Sequence, residues 1–134
     1  MRLRVLLAAP LLALVPSLVC ACSERAEDSP SWDAALRRLD QLPEVAAWAR
    51  YVSQTPGVKA VLSPAVDKQS LITGRCYWSV TLYSDEGTHL HRWNTFYVSV
   101  DGDEILVDDV TGGEPVSLAS WRKAREPGTE QPGR

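Results

Sequence analysis

Cysteine is scarce in this chain, with only Cys20, Cys22 and Cys76 among 134 residues. So few cannot make a disulfide-dense scaffold. Histidine is scarcer still, with His89 and His91 alone. No run of Lys and Arg stands out, and the formal charge is −3. Nucleic-acid binding depends on basic side chains neutralising phosphates, so that class of partner is set aside. A Gly-rich phosphate loop, a Gly-x-Ser-x-Gly elbow and a dinucleotide fingerprint are missing. No catalytic residue, cofactor or metal is assigned. Also missing is an apolar run long enough to span a bilayer, roughly 18 to 20 residues.

What is present begins at the N-terminus. Arg2 and Arg4 make a short basic segment, Val5 to Val19 is apolar but broken by Pro10 and Pro16, and Val19-Cys20-Ala21-Cys22 closes it. An apolar stretch of about 15 residues suits a signal peptide better than a spanning helix. The pattern resembles a bacterial lipoprotein signal, whose lipobox sets an aliphatic residue, a small residue and an invariant cysteine at the cut. That resemblance implies cleavage between Ala21 and Cys22, with the lipid on Cys22. Cys20 fits less well, because Leu18 and Val19 then stand where small residues are wanted. A plain secretory signal is the alternative. In a lipoprotein, Cys20 leaves with the signal, Cys22 is acylated, and Cys76 remains alone, buried and without an intramolecular disulfide. Ser23 after the cysteine implies, for a proteobacterial lipoprotein, transfer to the outer membrane facing the periplasm. Losing Arg2 and Arg4 takes the side-chain charge from −3 to −5.

Residues 1–21 are thus expected as signal, 22–31 as a polar tether, 32–124 as a single domain and 125–134 as a frayed tail. Helices are expected from Trp32 to about Gln41, with Ser31 as N-cap, and from Pro43, whose proline suits N1, to the Pro56-Gly57 stop. Trp32, Leu36 and Leu39, then Val45, Trp48, Ala49 and Val52, recur at helical spacing. Beyond Val58 the period falls to two. Strands are expected at Val58–Leu62, Arg75–Ser84, His89–Val100 and Ile105–Val110, with Asp101-Gly102-Asp103 as a hairpin turn. A short helix could follow from Pro115 to Lys123. The fold class is α+β, N-terminal helices packed on one face of a three- to four-stranded antiparallel sheet.

Alternation puts Cys76, Trp78, Val80 and Leu82 toward the helices. Tyr77, Tyr83, His91, Trp93 and Tyr97 then share the other face, with Thr81, Thr95 and Ser99 between them. Aromatic rings with polar handles beside small hydroxyls are the chemistry of a partner-binding surface. The competing arrangement folds the Pro115–Lys123 segment over that face. From Pro43 to Asp109 the helix, Pro-Gly break and hairpin resemble the PepSY-type domain, a cystatin-like module of bacterial envelopes. That resemblance implies inhibition or ligand binding and carries no catalytic residues.

Two constellations remain. His89-x-His91 projects two imidazoles from one strand face, about 7 Å apart along the chain, where Asp108 or Asp109 could add a third metal ligand; two polar residues at an exposed strand start is the plainer account. Asp101, Asp103, Glu104, Asp108 and Asp109 cluster, but lack the spacing of a calcium loop and read as turn chemistry. Cys76 lies on an apolar strand face, without the exposure of a nucleophile. The expected function is a lipid-anchored envelope protein, not an enzyme, that binds another protein. An inhibitor or immunity-type protein acting on a periplasmic hydrolase or toxin is the first reading. A structural accessory of an envelope assembly is the alternative, and a small metal-dependent enzyme using His89 and His91 is third.

Overall fold

The computed structural model describes residues 22–111 and 113–126; the expected signal peptide and the end of the expected tail lie outside them. Two helices come first, α1 (Pro30–Asp40) and α2 (Pro43–Ser53). Six strands follow: β1 (Lys59–Pro64), β2 (Ser70–Ile72), β3 (Arg75–Asp85), β4 (Leu90–Ser99), β5 (Ile105–Val107) and β6 (Val116–Ser117). A last helix, α3 (Leu118–Ala124), closes the described chain. The sheet is antiparallel in the order β1-β3-β4-β5-β6, and β2 shares with β1 one edge of the long β3.

The α+β class holds, while its finer outline changes. The sheet has six strands among the described residues rather than three or four, and the helix layer is not confined to the N-terminus. All three helices lie on one side. Trp32 of α1 meets Trp78 edge-on, Trp48 of α2 stacks on Trp93, and Trp121 of α3 meets Phe96. Beneath them Trp78, Val80, Leu82, Phe96, Val98 and Val107 are buried, with Leu39 and Val45 above. The segment Pro115–Lys123 therefore covers the helix side, not the opposite face.

Helix starts follow proline. Pro30 takes N1 of α1, so the N-cap is Ser29 rather than Ser31, and Pro43 does the same for α2. A proline at N1 loses no hydrogen bond and presets φ. Ser31 instead accepts a hydrogen bond from the Trp78 indole, 2.8 Å away. Arg122 of α3 donates to both carboxylate oxygens of Glu44 in the first turn of α2, tying the two helices together.

The short strand β2 arises from a turn that is easily overlooked. Ile72 opposes Arg75, so Thr73 and Gly74 form a two-residue hairpin loop, with φ of 45° and 80°. Such a loop requires positive φ at both positions, which Asn-Gly supplies readily and a β-branched Thr does not.

The expected tether is part of the fold. Ala26 is buried in the core cluster, its N–H donates to the Asp67 carbonyl, and the Gln69 N–H donates to the Glu24 carbonyl. Glu24 also accepts from the Ser29 hydroxyl at 2.8 Å. Polar, aperiodic side chains suggested solvent, yet the main chain of the segment pairs with the backbone of the 67–69 loop. The same segment starts with a covalent bond. Cys22 is joined to Cys76 at the start of β3, their Cα atoms 5.4 Å apart. Cys76 is thus neither alone nor a free thiol. At the other end Arg125 lies over the Trp121 ring, 4.6 Å from its centroid, so the chain is still packed where the tail was expected to begin.

Candidate functional site

A single irregularity in β4 decides which side chains face where. Leu82 opposes Asn94 but Tyr83 opposes Arg92, which leaves Trp93 as the extra residue of a β-bulge. A bulge shifts the side-chain phase of everything beyond it. Trp93 turns to the helix side, stacked on Trp48 with centroids 5.0 Å apart and also touching Phe96 and Trp121. His91 opposes Ser84 and takes the helix-side phase as well, at the hairpin tip. Strict alternation placed both residues on the opposite face, and both placements are corrected. Leu90, opposite Asp85, takes the open-face phase.

Of the five expected partner-binding residues, Tyr77, Tyr83 and Tyr97 share the open face. Tyr77 is nevertheless buried, and its hydroxyl donates to Glu104. Its phenol pKa is raised by burial and then by the Glu104 carboxylate. Around it the Arg75 guanidinium reaches Asp103 at 2.6 Å and Glu104 at 3.0 Å, while Asp103 also accepts from the Ser99 hydroxyl. The Ser99 hydroxyl and Arg75 hold the Asp103 carboxyl below the usual range. These carboxylates therefore clamp the β4–β5 turn to the start of β3.

No described helix covers the open face, whose centre is built from hydroxyls. Thr81 and Thr95 share a hydrogen bond at 2.8 Å, and Ser70 and Ser79 share one at 3.0 Å. These satisfied pairs explain how small polar groups persist in a buried strip. Toward the hairpin tip the face becomes larger and charged. Arg92, opposite Tyr83, pairs with Asp108, and the Tyr97 hydroxyl lies 3.5 Å from the same carboxylate. Burial, then Asp108, raises the Tyr97 pKa, so the phenol stays a neutral donor at ordinary pH. Tyr83, Arg92, Tyr97 and Asp108 thus form one aromatic, zwitterionic patch. The sequence offered Asp108 only as a metal ligand or turn residue and did not single out Arg92, because their pairing depends on the bulge and on β5 register.

The hairpin tip holds a second cluster. His89 Nε2 is 3.1 Å from Glu86 Oε2 and His91 Nε2 is 3.4 Å from Glu86 Oε1, with the two rings 4.5 Å apart. The third member is Glu86, not Asp108 or Asp109; Asp108 belongs to Arg92 on the other face. The spacing Glu86-Gly87-Thr88-His89-Leu90-His91 was the signal available for it.

Comparison with protein-family models, with curated proteins and with solved structures returns no match. The likeness to a PepSY-type domain rests on the helix–hairpin pattern alone.

Proposed function

We propose that this chain is an exported protein of the bacterial envelope, a non-enzymatic binding domain of inhibitor or immunity type. Its partner is a protein, met by the Tyr83–Arg92–Tyr97–Asp108 patch. The observation that carries the reading is the asymmetry of the sheet: three helices cover one face, while the other ends in a patch whose Arg and Asp are partly exposed. Tyr and Arg are the residue types that most often anchor protein interfaces. Export is supported by the signal-like N-terminus together with a disulfide, a bond at home in oxidising compartments.

Cys22 has two exclusive fates. A lipobox reading of Val19-Cys20-Ala21-Cys22 makes it the lipid acceptor and anchors the domain in the outer membrane, facing the periplasm. A plain secretory cut at the same bond leaves it free to pair with Cys76, and we favour this second fate. The intact mass of the mature protein separates them: a chain starting at Cys22, two hydrogens lighter than its reduced form, supports the disulfide. A lipid-sized mass increase removed by Cys22→Ala overturns it and restores the anchor.

The binding reading is tested by capture from envelope extracts. Arg92→Glu and Tyr97→Ala are expected to weaken capture of one dominant partner at least about tenfold while leaving the fold intact, as loss of an interface anchor does. Capture unchanged in both variants overturns the patch. A set of assembly subunits in place of a single hydrolase or toxin replaces inhibition with a structural role.

A further inference from the structure

We infer that Glu86, His89 and His91 bind one late first-row divalent cation at the β3–β4 hairpin tip, with Zn2+ as the reference ion. The donor atoms lie within 4.8 Å of one another. Ligands about 2.0–2.1 Å from a tetrahedral zinc stand about 3.3 Å apart. Each Nε2 already stands near that edge length from its own Glu86 oxygen, His89 at 3.1 Å from Oε2 and His91 at 3.4 Å from Oε1, so a small turn of the carboxylate brings one oxygen to both. Two imidazoles and one carboxylate suit Zn2+, Cu2+ or Ni2+, whereas Mg2+ and Ca2+ prefer all-oxygen shells.

The site is also held in place. The Glu86 N–H donates to the His89 carbonyl at 3.1 Å, and the Gly87 N–H donates to Asp85 at 2.8 Å, closing the turn that aims all three side chains. The Thr88 hydroxyl lies 2.8 Å from His89 Nδ1, which leaves Nε2 for the ion. Fixing the far nitrogen of a ligating histidine in this way is a common feature of protein metal sites. Contrast with the other carboxylate cluster is instructive. Asp103 and Glu104 share the one Arg75 guanidinium, whereas Glu86 faces two imidazoles. Three protein ligands leave one position open to solvent, where water or a group from another molecule completes the shell.

The test is calorimetric titration of Zn2+ into untagged protein whose disulfide is verified by a thiol count, so that free cysteines cannot bind the ion. One ion per chain is expected, with affinity reduced by more than about tenfold in His91→Ala and in Glu86→Gln. Thr88→Val is expected to weaken binding about tenfold through His89. All three variants should melt with the parent in chelator, since the tip is exposed. Absence of saturable binding, or a loss below tenfold in His91→Ala, overturns the site. Protein that binds zinc only after the disulfide is reduced overturns it as well.

Discussion

The two faces of the sheet solve the same problem of burial with opposite chemistry. On the helix side, burial comes from size: Trp32, Trp48, Trp78, Trp93, Phe96 and Trp121 interlock edge-on or stacked across three helices and two strands. On the open side, burial comes from small hydroxyls that satisfy one another, with tyrosines at the margins. Aromatic packing stabilises through area and dispersion. A hydroxyl strip contributes little net free energy and stays buried only because its groups satisfy one another. One face therefore packs large rings beneath the helices, and the other carries paired hydroxyls with tyrosines at its margins.

Substitutions along β3 and β4 can break this comparison, beginning with the largest effect. Trp78 is fully buried, and Trp78→Ala is expected to cost about 3–5 kcal/mol. For a domain of ordinary stability, about 5–15 kcal/mol, that brings the chain near unfolding. Chemical denaturation measures it, and a loss under about 1 kcal/mol would mean the indole is not core.

The disulfide comes next, since it fixes the base of β3 beneath both faces. It spans 54 residues of sequence. Chain entropy alone assigns a loop of that size up to about 4 kcal/mol, and strain or residual denatured structure commonly reduces the figure. Cys76→Ser should lower the denaturation midpoint by the equivalent of about 2–4 kcal/mol. Equal midpoints for parent and variant under oxidising conditions would contradict the bond.

Trp93 sharpens the comparison most, because the bulge alone decides its face. Trp93→Ala is expected to cost about 2–3 kcal/mol, the stack on half-buried Trp48 being lost with the indole. A thermally neutral variant would return Trp93 to the open face and remove the bulge. By contrast Thr81→Val should cost about 1 kcal/mol by stranding the Thr95 hydroxyl, and Thr81→Val with Thr95→Val should recover most of that loss. Additive losses in the pair would show that the strip is not a satisfied network.

The smallest effect lies within the helix layer and depends on pH. Hydrogen bonds from Arg122 hold the Glu44 carboxyl below its usual range, against a smaller opposing effect of burial. A carboxyl whose folded pKa is depressed contributes stability above its unfolded pKa, about 4.3 for Glu. That contribution disappears as the pH falls through the lower folded value. For this partly exposed pair it amounts to less than about 1 kcal/mol. Arg122→Met should remove the part of the acid-side slope that belongs to Glu44; an unchanged slope would mean the pair is not formed in solution.

Much of the architecture was legible because it depends on periodicity. The stripe Val45, Trp48, Ala49 and Val52 marks α2, and the alternation in Arg75–Ser84 marks β3. What escaped depends on contacts between segments distant in sequence. Nothing local in Leu90–Ser99 announces that Trp93 is a bulge residue, and that one residue moves both His91 and Trp93 to the other side. Ser23–Ser31 has no apolar period, so its docking along residues 67–69 left no trace in its composition. A cysteine beside a signal-like cut reads as a lipid acceptor in the sequence, and its approach to Cys76 comes only with the fold. For the site, Tyr83 and Tyr97 could be named from alternation, but their charged neighbours Arg92 and Asp108 come together only through register.

Site-specific photocrosslinking compares the two sides most directly. A benzophenone amino acid replacing Tyr83 on the open face, and the same residue replacing Tyr51, which is 72% exposed on the helix layer, can be irradiated in intact envelopes. One discrete adduct from position 83 and none from position 51 is the expected result. Equal adducts at both positions, or an adduct from position 51 alone, would contradict the division of labour between the faces.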